Sequence, residues 1–253
     1  MFVFGSRVKW FAAATKWSVT ALTVAALAIG AVSAQAQKTK RQRRETNVNR
    51  QARINRTIKD TYTRRYEVAG GGGYLRFRSG EYLKRNNEIT WATSGTYFLN
   101  PKLGITADVR GSYGNANIPN AFALNGQFRP LINEYMFSGG PTYRLYMKEK
   151  YAISAVVTGG LAIGNFSGGN KGVASETVGM WKSTNRPVIT AGVNFDYNFY
   201  PNLAFRFTPT FAGTTFVGTT AIGPLATGGT QNGGFQTNIG FNMGVVYRFG
   251  RIK

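Results

Sequence analysis

Between Gly234 and Phe249 the chain alternates with period two. Phe235, Thr237, Ile239, Phe241, Met243, Val245, Tyr247 and Phe249 fall on one side. Gln236, Asn238, Gly240, Asn242, Gly244 and Arg248 fall on the other, with Val246 its one apolar member. Successive strand side chains point to opposite faces, so the stretch predicts a strand with one apolar and one small polar face. The pattern holds for about fifteen residues, far beyond the ~5–6 of an ordinary globular strand. Its polar face carries Gly and Asn rather than charge, which suits a strand with lipid on one side and a polar lumen on the other.

The same alternation recurs upstream. Runs at about 66–77, 88–99, 103–114, 133–147, 151–166, 186–199 and 203–217 precede the one at 234–249, which makes eight. In the sixth, Ile189, Ala191, Val193, Phe195, Tyr197 and Phe199 share one face, and Thr190, Gly192, Asn194, Asp196 and Asn198 the other. The connections alternate in length. Asn100-Pro101-Lys102, Lys148-Glu149-Lys150 and Tyr200-Pro201-Asn202 are tight hairpin turns, whereas 78–87, 115–132, 167–185 and 218–233 are long and rich in Gly, Asn, Ser and Thr. Short turns on one side and long loops on the other predict an all-β fold: an eight-stranded antiparallel up-and-down transmembrane β-barrel over 66–249. Pro141 and Pro209 lie inside two runs, and a bulge or distortion is expected at each.

Every second run ends alike, in Tyr97-Phe98-Leu99, Tyr143-Arg144-Leu145, Tyr197-Asn198-Phe199 and Tyr247-Arg248-Phe249. The Tyr and the final Leu or Phe share the apolar face. A tyrosine there has its ring in hydrocarbon and its hydroxyl at the headgroups, so Tyr97, Tyr143, Tyr197, Tyr247 and Phe249 are read as one aromatic girdle. Trp91, Tyr113, Tyr135 and Phe235 lie toward the loops and are candidates for the other.

The N-terminus reads differently. Arg7, Lys9 and Lys16 precede an uncharged apolar run over 18–32 that ends in Ser33-Ala34-Gln35-Ala36. This is the form of a secretory signal peptide, 1–36, cleaved near Ala36; the run is shorter than the ~20 residues that span a bilayer as a helix. Residues 37–65 carry eleven basic and two acidic residues and no aromatic before Tyr62. The segment is expected to be a separate basic tail, disordered or with a short helix around 45–60. Together these two segments account for more than half of the net charge of +21. A basic cluster on an exported chain points to a solvated spacer or to anionic headgroups, and not to nucleic acid.

Composition narrows the chemistry. The chain has no Cys and no His. It therefore lacks a thiol nucleophile, a disulfide framework and the commonest general base and metal ligand, and the serines have no imidazole to activate them. The eight acids of 66–253 are scattered, without metal-ligand spacing or an evident acid–base pair. No enzyme activity, cofactor or metal is expected.

The signal peptide, the eight runs, the turn asymmetry and the terminal Tyr247-Arg248-Phe249 resemble the small outer-membrane β-barrel proteins, the OmpA-like and OmpX-like group. The resemblance implies an outer-membrane location, recognition of the last strand by the barrel assembly machinery, and monomers. Barrels of that group usually end on the aromatic residue, whereas here Gly250, Arg251, Ile252 and Lys253 follow as a short extension, 250–253.

Within such a barrel the inward positions include Glu67, Asp108, Arg110, Glu134, Arg144, Asp196, Arg206 and Arg248. Buried charges need partners, and an eight-stranded lumen is just wide enough for side chains to fill. An ion-paired lumen is expected, either as a plugged core or as a gated small-solute channel. The loops carry Lys84, Arg85, Arg129, Lys171, Lys182 and Arg186, with Phe122, Phe128, Val173, Met180 and Trp181 among them. Loops 115–132, 167–185 and 218–233 are thus candidates for a surface that meets lipopolysaccharide phosphates or another ligand. The functional expectation is structural and surface-directed, envelope integrity or adhesion, with the channel as its alternative.

Overall fold

The structure is a computed structural model of the chain and describes residues 46–120, 122, 129–168, 172–220 and 230–252. The expected signal peptide lies outside the described residues, as do Phe128 and Lys171. Among the described residues no helix is long and apolar enough to cross a membrane.

One helix, α1 (Asn47–Tyr62), leads into ten strands: β1 (Tyr66–Arg78), β2 (Arg85–Phe98), β3 (Leu103–Asn115), β4 (Leu131–Met147), β5 (Tyr151–Gly168), β6 (Thr184–Tyr200), β7 (Leu203–Thr214), β8 (Val217–Thr219), β9 (Gln231–Gly233) and β10 (Gln236–Phe249). Eight of them close a barrel in the order β1-β10-β7-β6-β5-β4-β3-β2, every neighbour antiparallel. Closure satisfies each strand's backbone groups without leaving an edge, which is what a bilayer interior demands. β8 and β9 form a small separate hairpin.

The outward face is apolar. Val68, Ile89, Ile105, Phe137, Val157, Ile189, Phe195, Phe205, Ile239 and Val245 all stand exposed around the wall. In water this belt would be a continuous hydrophobic surface far larger than a soluble monomer tolerates; against lipid it is the favourable face. Tyr97, Tyr143, Tyr197, Tyr247 and Phe249 are exposed at the turn-side ends of their strands. There Tyr66 joins two neighbours, its ring centroid 5.5 Å from Tyr97 and 5.3 Å from Phe249. At the loop side the Trp91 indole donates to the Tyr113 hydroxyl at 3.4 Å, and the Tyr113 and Tyr135 hydroxyls lie 3.0 Å apart.

The prolines do not break register. Ile105 faces Pro141 and Phe241 faces Pro209 in uninterrupted pairings. On the other flank of each proline pairs are missing, yet the same register resumes, from Gly139↔Gly159 to Thr142↔Val156 and from Gly192↔Thr210 to Phe195↔Phe207. Loss of one N–H donor is absorbed locally instead of being relieved by a bulge. The irregularities sit nearer strand ends, between Leu131 and Asn133, Arg144 and Tyr146, and Asn198 and Tyr200. Glycine allows a close approach at the closing seam. Gly71 and Gly244 are register partners, and a Cβ on either would lie within 2.1 Å of a backbone oxygen across the ladder.

Residues from Gln51 on form one compact unit with the barrel. The basic segment is therefore not a separate tail at its C-terminal end. It is helical over Asn47–Tyr62, and Thr61 and Tyr62 are buried.

Candidate functional site

Inward positions on both sides of the seam carry opposite charges. Glu67 on β1 is the register partner of Arg248 on β10, and Asp196 on β6 is that of Arg206 on β7. Arg248 donates through Nε to Glu67 Oε2 at 2.9 Å and through Nη2 to Asp196 Oδ2 at 2.6 Å. Arg206 donates to Asp196 at 2.6 and 2.8 Å and to Glu67 Oε1 at 2.5 Å. Arg144 crosses the lumen from β4 to Glu67 Oε2 at 3.2 Å. Two carboxylates thus hold three guanidiniums in one buried cluster. The forked, charge-assisted bonds offset the desolvation that would otherwise forbid it.

Tyr62 completes this end. Its ring lies 5.4 Å from the Arg144 guanidinium and 5.9 Å from that of Arg248. Its hydroxyl donates to the Lys148 carbonyl at 2.7 Å and accepts from Asn198 Nδ2 at 2.9 Å. Burial raises the pKa of this hydroxyl, which keeps it a donor. The Phe98 ring also covers Arg144, 3.4 Å from guanidinium carbon to ring centroid. The turn-side mouth is filled by the helix end and the ion network together.

Above this cluster the inner wall is lined with hydroxyls. Thr96, Thr106 and Thr142 are linked around the wall at 2.8 and 2.5 Å, and Ser138, Thr158 and Thr190 at 2.9 and 2.5 Å. Asp108 and Arg110 form their own pair at 2.5 Å, apart from the five-residue network. A cavity of about 60 Å³, bordered by Asp108, Arg110, Asn194 and Arg206 and by apolar Ala69, Val156 and Met243, has room for a few waters.

The loop-side mouth is closed by different chemistry. Phe77, Phe166 and Phe216 pack at centroid distances of 5.2 to 6.3 Å. Val178, Met180 and Trp181 descend onto them from the loop between β5 and β6, within one apolar cluster that also includes Leu75, Ile132 and Met136. The Trp181 indole donates to the Arg78 carbonyl at 2.5 Å, and Gln236 exchanges two hydrogen bonds with the Phe216 backbone at 2.7 and 2.8 Å. Met180 and Trp181, expected as exposed loop apolar residues, are buried, while Phe122 and Val173 pack against the same cluster. Burying a large apolar side chain stabilises by roughly 1.5–3 kcal/mol, so folding the loop inward outweighs presenting it to solvent.

Of the eight expected lumen charges, seven fall into the ion network or the Asp108–Arg110 pair. Glu134 falls elsewhere. It accepts from Ser112 Oγ at 3.5 Å and lies beside Glu88, a residue absent from the sequence-derived lumen set. The acids are therefore not all scattered: the fold brings two from β2 and β4 together. Among the described residues no group of three or more acidic side chains gathers.

No protein-family model and no curated protein matches the chain. Solved structures do. The outer-membrane protein OprG of Pseudomonas aeruginosa superimposes with a TM-score of 0.54 at 11% identity, over 74% of this chain and 97% of that one. Neisserial surface protein A gives 0.46 at 13% identity, over 73% and 97%. The attachment invasion locus protein Ail of Yersinia pestis, solved with the heparin analogue sucrose octasulfate, gives 0.43 at 14% identity, over 74% and 99%. At such identities the likeness concerns the fold, and OprG carries it. With the closed eight-strand ladder, the lipid-type outer face and the ion-paired lumen, the chain has the fold of the small eight-stranded outer-membrane β-barrels.

Proposed function

We propose that this protein is a closed outer-membrane barrel with a structural and surface-directed role, in envelope integrity or adhesion, rather than a solute channel. The observation that carries this reading is the double seal. Arginine–carboxylate bonds and Tyr62 fill one mouth, and the Phe77–Phe166–Phe216 cluster fills the other. The chemistries are independent, so a single side-chain motion does not open a continuous path. A conducting state requires both seals to move.

The surface reading rests on the loop side. A cleft of about 610 Å³ is bordered by Arg85, Arg129, Asn86, Asn87, Asn115 and Asn117, next to Tyr113 of the loop-side aromatic group. Guanidiniums and amides at headgroup depth fit the phosphates of lipopolysaccharide. In this reading the signal peptide is cleaved near Ala36, the tight turns and α1 face the periplasm, the barrel is monomeric, and Tyr247-Arg248-Phe249 is presented to the assembly machinery.

Reconstitution in planar bilayers tests the proposal. Folded protein is expected to leave the membrane silent, and steady single-channel steps from heat-modifiable, folded barrels would overturn the structural reading in favour of the channel.

A further inference from the structure

Every buried acid on the turn side of the lumen has a guanidinium. Glu88 and Glu134 do not. Both are fully buried, and among the described residues neither forms an ion pair. They come from different strands into one place. Glu134 is the register partner of Ser112 on β3, which donates to it, and Glu88 is the register partner of Gly114 on the same strand. Ser112 and Gly114 are alternate residues on one face of β3, so the two carboxylates flank the same stretch of that strand. Two carboxylates so placed in an apolar surround, with Leu75 and Ile132 on neighbouring positions, call for a counter-charge.

Three oxygens at this place have no partner: Glu88 Oε2, Glu134 Oε1 and Asn86 Oδ1. Asn86 is itself more than nine-tenths buried; its Nδ2 donates to Glu88 Oε1 at 3.0 Å, and a half-turn of the amide would put Oδ1 beside that carboxylate instead. Space is made from the opposite strand. A Cβ on Gly114 would sit 2.6 Å from Glu88 Cγ. Asn86 and Gly114 also line the open loop-side cleft, which gives the cluster a route to solvent. Arg110 is held by Asp108, Arg85 donates to Thr237 at 3.1 Å, and Arg129 borders the cleft.

We propose that Glu88, Glu134, Asn86 and Ser112 form a binding site for a hard divalent cation of the calcium class, beneath the loop-side mouth. The donor set is all oxygen, with two carboxylates, one amide and one hydroxyl. This set suits Ca²⁺, which tolerates irregular geometry and completes its shell with water, and lacks the nitrogen and sulfur that favour transition metals. A bound dication neutralises both carboxylates and ties β2, β3 and β4 together below the apolar seal.

The test uses full-length mature protein refolded without lipopolysaccharide in a zwitterionic detergent, so that no lipid phosphate contributes. Titration calorimetry with CaCl₂ is expected to show one site per barrel. Saturating Ca²⁺ at about 100 times the dissociation constant is expected to raise the thermal midpoint by on the order of 5–10 °C over the chelator-treated sample. Glu88→Gln and Glu134→Gln are expected to lose the shift and the heat, while Glu81→Gln, on an exposed loop, keeps both. The wild-type measurement decides even if the variants fold poorly. A wild type with neither heat nor shift, whose stability follows pH alone, overturns the proposal in favour of a proton shared between the two carboxyls. A calcium shift that survives in both Gln variants overturns it as well.

Discussion

Glu67 and Arg248 stand 181 residues apart in the chain and 2.9 Å apart in space, across the strand pair that closes the barrel. The contact is both a register mark and a charge balance. A slip of one residue would turn Arg248 outward into lipid and leave Glu67 short of one guanidinium. Glu67 also accepts from Arg144 and Arg206, so it is the acid whose loss leaves the most charge uncompensated.

Glu67→Gln is therefore expected to destabilise the folded barrel by about 3–5 kcal/mol, because three buried guanidiniums are left with one carboxylate. Asp108→Asn, which breaks one pair beside the central cavity, is expected to cost less. Urea unfolding in lipid vesicles compares the two. Equal costs would show that the five-residue network does not act as a unit.

Tyr62 ties α1 to the mouth through one ring and one hydroxyl. Tyr62→Phe removes the bonds to Lys148 and Asn198 and is expected to cost about 1 kcal/mol. Tyr62→Ala also removes the ring from between Arg144 and Arg248, and about 3–5 kcal/mol is expected. The basic helix should then become open to trypsin while the barrel stays resistant. Conductance is expected to stay silent, since the loop-side seal is untouched.

That seal has its own test. Phe216 is fully buried between Phe77 and Phe166, and Phe216→Ala is expected to cost about 3–5 kcal/mol. Proteolysis at the loop between β5 and β6 should rise, since Trp181 and Met180 lose their packing partner. Only the combination with Tyr62→Ala is expected to admit small ions, read as conductance in planar bilayers.

These expectations divide along the line between what alternation encodes and what it does not. All eight barrel strands were legible, because each long run repeats one choice of face many times. The charges of Glu67, Asp196, Arg206 and Arg248 were legible because they interrupt a polar face of small residues. Glu88 was not, since it opens its run, where the pattern has only begun to show a face. Met180 and Trp181 carry no period at all. Whether a loop aromatic folds in or stays out depends on the space left by Phe77, Phe166 and Phe216, which come from three distant strands or loops. The role of Tyr62 was hidden for the same reason. A basic helix reads as solvated until the carbonyls and arginines that receive its last residue are in place.

The C-terminus separates two roles that the sequence places side by side. Phe249 stacks on Tyr66 at 5.3 Å and on Tyr247 at 6.0 Å, at the outward edge of the seam. The residues after it turn away. Gly250 adopts a left-handed φ of 68°, where a Cβ would also meet the Tyr66 ring at 2.8 Å. Ile252 then donates its backbone N–H to the Thr63 carbonyl at 2.8 Å, and Arg251 reaches Asp60 at 3.2 Å. The extension thus folds back onto the end of α1 and leaves the Phe249 ring on the lipid face. Removing it by a stop after Phe249 is expected to leave insertion into vesicles unchanged while making α1 more sensitive to trypsin. Phe249→Ala is expected to slow insertion several-fold with α1 still protected in the barrels that do form. Gel-shift kinetics and limited proteolysis read the two outcomes separately, and an Ala variant that inserts at the wild-type rate would remove the terminal aromatic from any role in assembly.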